Sequence, residues 1–247
     1  MCISASASLK SFFTNLVSAV LLVTLGNKKL YVYNLIIAVI SIYTSLMQLI
    51  DYAMWIDLDC TKGFNKFASV IGPFINLTQP IMFFAIIIIV MKYTSQGRQL
   101  YNKIKTTVSP NYINESFAIP SNKMTIPKMM SFIYLVFIAI ILINYYYKMS
   151  MDTSLACTNV SNGHLKWKWL HMNNAPITLF YLITALFNFI GINPLHPYIY
   201  IVTGLYTLTL IISSIFNKTF TGELWCFTSN SIPLILLAIQ KLLKPVL

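Results

Sequence analysis

Charged residues are scarce in this sequence. Lys, Arg, Asp and Glu make up 9% of its 247 residues, whereas hydrophobic residues make up 57%. A soluble domain carries about 25% charged residues, which it needs to cover its surface. This chain has too few for that purpose. The composition therefore predicts a protein that lies in lipid, and the bilayer is the first partner that we expect.

Acidic residues are scarcer still. There are six of them against 17 basic residues, and the formal net charge is +11. In a membrane protein, an excess of this kind is typical of cytoplasmic loops that lie near anionic headgroups. We therefore do not expect nucleic acid as a partner.

Motifs of familiar chemistry are also missing. Only eight glycines occur, and none of them forms a glycine-rich phosphate-binding loop. His164 and His171 are seven residues apart, unlike a zinc-binding pair at i and i+4, and His196 follows much later. No serine, cysteine or threonine nucleophile has a histidine base in a recognisable motif. The sequence predicts no catalytic residue, no metal ligand and no cofactor.

Long apolar segments fill most of the chain. A helix needs about 20 apolar residues to cross the bilayer. Seven segments qualify, and they predict one all-α transmembrane bundle formed by residues 1–247. The predicted spans are residues 8–26, 32–56, 68–91, 129–148, 174–192, 198–216 and 222–243. The first also resembles a signal peptide, but the lack of charge before Lys10 and of a clear cleavage site favours a retained helix.

The distribution of Lys and Arg predicts the orientation. The longest loop, residues 92–128, holds six basic residues, and we place it in the cytoplasm. The N-terminus is then outside and the C-terminus inside. Ten basic residues fall inside and seven outside. The aromatic residues Tyr145, Tyr146, Tyr147, Trp167 and Trp169 flank the fourth and fifth spans and are interpreted as interfacial anchors.

The four cysteines agree with this orientation. Cys2, Cys60, Cys157 and Cys226 all fall on the predicted outer side, where disulfides form. Four cysteines allow three pairings. We favour Cys60 with Cys157, which ties two outer loops together. The alternative is that some of them are free, small apolar residues.

One ionisable residue lies inside a predicted span. Asp51 lies roughly 8 Å from the outer end of the second span, and Gln48 is one turn deeper on the same face. Asn76 and Gln79 enter from the outside on the third span, followed by Pro80, which frees a backbone carbonyl. A charged carboxyl at the centre of the hydrocarbon costs about 3 kcal/mol on insertion scales. We therefore expect Asp51 to face inward, with Gln79, Asn76 or water as its partner.

Residues of the last span complete this predicted site. Ser229 and Asn230 lie at a similar depth in the seventh span. Trp55, one turn outward from Asp51, and Trp225 could wall a shallow outer pocket, although both also suit an aromatic belt. Asp51 itself has two other interpretations, as a packing group between helices or as a carboxyl that reaches the headgroups.

Four short motifs occur in order along the chain. They are Met1-Cys-Ile-Ser-Ala-Ser-Ala-Ser8, Gln48-x-x-Asp51-x-x-x-Trp55, Gln79-Pro80 and Gly222-Glu-Leu-Trp-Cys-Phe227. This set resembles a family of small seven-helix membrane proteins of unknown function. That family begins Met-Cys-Phe-Ser-Ala-x-Ala-Ser, and its second helix carries Gln-x-x-Glu-x-x-x-Trp. Here Ile3 replaces Phe and Asp51 replaces Glu. The resemblance implies seven spans and no activity. It draws attention to Cys2, Gln48, Asp51, Trp55, Gln79, Trp225 and Cys226.

Three functions are compatible with these features. The first is a receptor-like or transport module with an outward-facing pocket around Asp51 for a small ligand or cation. The second is a structural or partner-binding membrane protein in which Asp51 joins helices. The third and lowest-ranked is an intramembrane lipid-modifying enzyme, with Asp51 as acid or base and Cys226 or Cys2 as nucleophile. A pocket predicts water access to Asp51, whereas a packing role predicts a dry contact.

Overall fold

The computed structural model describes residues 4–107, 126–161, 163–168, 174–192, 196–216 and 229–242. Most of these residues are helical. The helices are α1 (Ala5–Leu25), α2 (Tyr31–Trp55), α3 (Phe64–Tyr93), α4 (Ser95–Thr107), α5 (Ile126–Met151), α6 (Asn174–Ile192), α7 (Pro197–Phe216) and α8 (Ile232–Leu242). Between α5 and α6 lies a hairpin of β1 (Asn159–Ser161) and β2 (His164–Lys166).

Four of the helices are long and apolar enough to cross a membrane. They cover Ala5–Leu25, Lys28–Trp55, Phe64–Tyr93 and Pro127–Met151, and they coincide with the first four predicted spans. Helices α6 and α7 occupy the fifth and sixth predicted spans, and α8 occupies the later part of the seventh. The mainly helical class is therefore confirmed, and the count of seven spans stays a prediction.

Helix α1 buries a polar face and exposes large apolar side chains, which is the reverse of a helix on the surface of a soluble protein. It begins at Ser4, whose Oγ accepts a hydrogen bond from the backbone N–H of Ala7 at 3.1 Å. Its buried face is polar and comprises Ser8, Ser11, Asn15 and Ser18. Its exposed large side chains include the apolar residues Phe13, Val17 and Val20. A surface of this kind suits a lipid environment, where small and polar residues mediate the contacts between helices.

The helices pack in chain order around one main apolar core. Helix α2 packs on α1 and α3, and α3 packs on α5 and α6. Helix α8 returns to α1. A second, smaller apolar cluster contains Met47, Met54, Leu165 and Trp167.

Helix α3 contains two prolines, and tyrosines of α5 bind next to them. Proline removes the hydrogen bond to the carbonyl four residues earlier and kinks the helix. The hydroxyl of Tyr146 donates to Val70 O at 2.8 Å, three residues before Pro73. The hydroxyl of Tyr134 donates to Leu77 O at 2.9 Å, three residues before Pro80. The prolines themselves free the carbonyls of Ser69 and Asn76, each one residue earlier, so the two tyrosines bind carbonyls next to the freed ones and join α5 to α3 there.

At one end of the bundle, the α2–α3 and α5–α6 connections are joined. Cys60 and Cys157 form a disulfide, which confirms that predicted pairing. Cys2 and Cys226 lie outside the described residues. Beside the disulfide, Asn65 Nδ2 donates to Thr158 O at 2.9 Å, and Thr158 N donates to Asn65 Oδ1 at 2.8 Å. We call this disulfide and the Asn65–Thr158 pair the clamp, and this end of the molecule the clamp end.

Asp57 organises the loop that carries Cys60. Its Oδ1 accepts from the backbone N–H of Lys62 at 2.8 Å and its Oδ2 from that of Asn65 at 3.0 Å. Burial raises the pKa of Asp57, but these backbone hydrogen bonds outweigh it and hold the pKa below its ordinary value. The ionised carboxylate therefore stabilises the start of α3 and, through Asn65, the clamp.

The opposite end of the bundle is held by a neutral network. Gln240 Oε1 accepts from Asn27 N at 2.7 Å and from Asn34 Nδ2 at 3.2 Å. Gln240 Nε2 donates to Asn34 Oδ1 at 2.8 Å and to the Tyr198 hydroxyl at 2.5 Å. Gly26 lies against this network, since a Cβ there would come within 2.5 Å of Asn34 Nδ2. The sequence analysis missed this network, which joins α2, α7 and α8.

We predict that Asp57→Asn destabilises the clamp end in a pH-dependent way. The amide group of the variant would turn its nitrogen, a donor, towards a backbone N–H, so one hydrogen bond is lost. Because the folded-state pKa is lowered, the wild-type contribution is complete above about pH 5 and is lost as pH falls below about 4. The difference in melting temperature between wild type and variant should be largest at pH 7 and should shrink as pH falls below about 4. A difference that does not shrink in this range contradicts this explanation.

Candidate functional site

Asp51 is fully buried and is bound by Trp167. The indole Nε1 of Trp167 donates to Asp51 Oδ1 at 2.7 Å, and both side chains have no exposed surface. A carboxyl in an apolar interior needs such a donor because unpaired burial is costly. The predicted inward orientation of Asp51 is confirmed, but Trp167 was not among its expected partners.

The clamp determines where Trp167 lies. From Cys157 and Thr158 the chain enters the β1–β2 hairpin, in which Val160 pairs with Leu165. Gly163 turns the hairpin with a φ of 76°, a left-handed conformation that glycine adopts without strain. Trp167 follows β2 directly, and the nearby Leu165 is also buried. A loop tethered by a disulfide thus inserts an indole into the bundle above Asp51.

The interpretation of Trp167 as an interfacial anchor is therefore wrong. The indole lies inside the protein because its N–H has an ionisable acceptor there and its ring packs with Met47 and Met54. Tyr145 is also buried, and its hydroxyl donates to Leu155 O at 3.2 Å. Tyr147 is exposed, as a headgroup anchor requires. Trp169 lies outside the described residues.

Gln79 has a partner on a different helix from Asp51. Its Oε1 accepts from the Tyr181 hydroxyl of α6 in a short hydrogen bond, and its buried Nε2 has no partner among the described residues. Asn76 is buried in the same turns of α3. Asn188 of α6 donates through Nδ2 to Pro80 O at 2.8 Å. The proline region of α3 is thus joined to α6.

The remaining predicted pocket residues belong to two different parts of the bundle. Asn230 Nδ2 donates to Ser11 Oγ at 2.9 Å, so the segment before α8 binds α1, and Ser229 beside it is buried. Trp55 is half-buried against the smaller apolar cluster, and its Nε1 is shielded without an acceptor among the described residues. Trp225 lies outside the described residues.

A stripe of buried polar residues runs along α2. Asn34, Ser41, Ser45 and Gln48 are all buried. At 3.6 residues per turn they lie within about 60° of one another around the helix. Between Asn34 and Gln48 the stripe covers roughly 21 Å of the helix axis. Together with the polar face of α1 (Ser8, Ser11, Asn15 and Ser18) and with Asn230, which binds Ser11, we call it the polar seam.

Hydrogen bonds connect the polar seam to neighbouring helices. Asn15 Nδ2 donates to Ser41 O at 2.7 Å, and the hydroxyls of Ser41 and Tyr206 are 3.2 Å apart. Two buried amide oxygens, Asn15 Oδ1 and Asn230 Oδ1, have no hydrogen-bond partner among the described residues. Because Ser41 O can only accept, the amide nitrogen of Asn15 must face it, and the oxygen must point away. The seam therefore contains acceptors that the described part of the protein does not satisfy.

Known proteins give no further guide to this site. No protein-family model matches the chain, and neither a curated protein nor a solved structure is detectably similar to it. Among the described residues, no three His, Cys, Asp or Glu side chains are grouped closely enough to hold a metal ion.

We predict that Trp167→Phe lowers stability much more than Trp55→Phe. The first change takes a donor from a buried carboxyl and should cost about 1–3 kcal/mol in the free energy of unfolding. The second removes an N–H for which the described residues offer no acceptor, so it should be nearly neutral or slightly stabilising. Trp167 is fully buried whereas Trp55 is half-buried, so part of the larger loss at Trp167 comes from the cavity that the smaller ring leaves. Unfolding measured in detergent micelles would test the difference, and equal losses would contradict the assigned hydrogen bond.

Proposed function

We propose that this chain is a multi-pass integral membrane protein with seven spans, the N-terminus outside and the C-terminus inside. We further propose that its polar site around Asp51 faces outward and takes up a small ligand or cation, as a receptor-like or transport module does. The structure then represents a closed state in which Trp167 covers Asp51.

The clamp supports this orientation. Disulfides persist on the oxidising, non-cytoplasmic side of a membrane. The described acids, Asp51, Asp57, Asp59 and Asp152, all belong to the clamp end. The loop of residues 92–128, which begins at the opposite end, carries six of the 17 basic residues of the sequence, and the positive-inside rule places such a loop in the cytoplasm.

The observation that favours a binding function is the pair of unsatisfied oxygens in the polar seam. A buried polar atom without a partner costs about 1–3 kcal/mol, and such atoms in a native protein call for an explanation such as a water or an ion. Amide and hydroxyl oxygens are suitable ligands for hard cations. On α1, Asn15 lies one turn from Ser11, which binds Asn230, and on α2 the seam reaches Gln48, one turn from Asp51. The buried polar residues of the seam thus extend from one turn away from Asp51 on α2 to Asn15 on α1.

A second function, a purely structural role for Asp51, is favoured by another observation. The Trp167–Asp51 contact is direct and both side chains are fully buried, as an interhelical packing group requires. The Gln240 network shows that this chain uses satisfied amides as packing groups. In that case Asp51 holds the outer loop in place, and no ligand enters.

Cation-dependent stability separates these two functions. We predict that the melting temperature of purified protein rises with the concentration of one alkali or ammonium cation, at constant ionic strength with a bulky organic cation as substitute. A ligand that binds the folded state stabilises it in proportion to the logarithm of its excess over Kd. Asp51→Asn and Asn15→Leu should reduce or remove this increment.

Asn188→Leu is the matched control for this experiment. It also replaces a fully buried asparagine, but both ends of that amide are satisfied, by Pro80 O and by Ser131 Oγ at 3.2 Å. It should lower the baseline melting temperature and keep the cation-dependent increment. If no cation stabilises the wild type, or if Asn188→Leu removes the increment as Asn15→Leu does, the structural role is the better account.

Orientation can be tested by labelling intact cells with a membrane-impermeant maleimide. We predict that Lys62→Cys, at the clamp end, is labelled above the background of the parent chain. Lys28→Cys, at the opposite end, should react only after the cells are lysed. Both lysines are exposed, so access is limited by the membrane alone. The reverse pattern would invert the proposed topology and place the Asp51 site inside.

A further inference from the structure

Charge is unevenly distributed between the two ends of the molecule. No acid belongs to the end opposite the clamp among the described residues, whereas five exposed bases do. They are Lys28, Lys29, Lys92, Arg98 and Lys241. Lys103 and Lys105 follow on α4. We call the five exposed residues the basic collar.

Helix α4 brings part of the collar against the bundle. Thr94 ends α3 and accepts a hydrogen bond from Gly97 N at 2.9 Å through its Oγ1. A Cβ on Gly97 would lie 2.6 Å from that oxygen, so the corner between α3 and α4 needs a glycine. Leu100 and Tyr101 pack against the main core, while Arg98 and Asn102 remain exposed. The sequence analysis treated this segment as part of a loop, because its apolar residues are too few for a span.

The collar borders exposed apolar surface. Leu25 is exposed just before Lys28, Tyr93 is exposed beside Lys92, and Leu242 is exposed beside Lys241. Lys92 Nζ also lies 5.1 Å from the centre of the Tyr93 ring. Bases at the edge of an apolar belt lie at the level of lipid headgroups whose tails cover that belt. A soluble acidic partner would gain nothing from this apolar edge.

We propose that the basic collar binds the phosphate-bearing headgroups of anionic lipids in the leaflet that meets this end. The guanidinium of Arg98 can bind a phosphate with two parallel hydrogen bonds, and the lysines add positive charge around it. No residue of the collar belongs to the Asp51 site or the polar seam. The inference therefore rests on the proposed membrane insertion but not on the proposed ligand site around Asp51.

Native mass spectrometry of the full-length protein with an equimolar mixture of phosphatidylglycerol and phosphatidylcholine tests this proposal. We expect the wild type to prefer the anionic lipid by at least about tenfold, because several bases near a membrane surface attract an anionic headgroup together. The preference should weaken with salt. A quadruple variant of the collar should bind both lipids about equally. Its four changes are Lys28→Gln, Lys29→Gln, Lys92→Gln and Arg98→Gln.

A charge-matched control removes four exposed lysines from the clamp end, namely Lys62, Lys66, Lys148 and Lys166, each changed to Gln. This control should keep the wild-type preference. Arg98→Lys is a milder variant if the quadruple variant does not fold. It keeps the charge but cannot form two parallel hydrogen bonds to a phosphate, so it should lower the preference severalfold. Equal lipid binding by the wild type, or equal loss in the collar and control variants, would overturn the proposal. Stabilisation by inorganic phosphate to the same degree as by the anionic lipid would replace it with a simple anion site.

Discussion

The hydrogen bond from Trp167 to Asp51 determines how the clamp end is assembled. A carboxyl this deep in an apolar bundle needs a donor, and the helices do not supply the indole that binds it here. The donor comes from a loop, and that loop reaches Asp51 because the clamp fixes Cys157 and Thr158 against the start of α3. The position of this one indole inside the bundle depends on Asp57, the disulfide, the hairpin and the smaller apolar cluster.

The same constraint explains the rest of the bundle, since backbone and side-chain polar groups must find partners within the protein when the solvent is lipid. Tyrosine hydroxyls of α5 bind carbonyls beside both prolines of α3, and Gln240 satisfies Asn34 at the opposite end. The two unsatisfied oxygens of the polar seam, on Asn15 and Asn230, depart from this pattern, as do Gln79 Nε2 and Trp55 Nε1 among the described residues. The proposed cation site rests on those two oxygens.

The sequence predicted what depends on local composition and failed where distant segments meet. Runs of apolar residues predicted the first four spans, and the common side of the cysteines favoured Cys60 with Cys157. The depth of Asp51 showed that it must face inward. Its partner could not be predicted, because Trp167 lies 116 residues away and a tryptophan near a span is equally typical of an interface. The Gln240 network was missed for a similar reason, since each of its residues alone is an ordinary polar residue near a helix end.

The central claim is that Asp51 and Trp167 stabilise each other directly, and a double-mutant cycle measures this coupling most directly. The free energy of unfolding would be compared for wild type, Asp51→Ala, Trp167→Phe and the double variant in detergent micelles. We predict a coupling energy of about 1–3 kcal/mol. Once either side chain has been replaced, the hydrogen bond is already lost, so replacing the other side chain costs less. A coupling energy near zero, with the two single losses adding independently, would contradict the contact and with it the closed outer site.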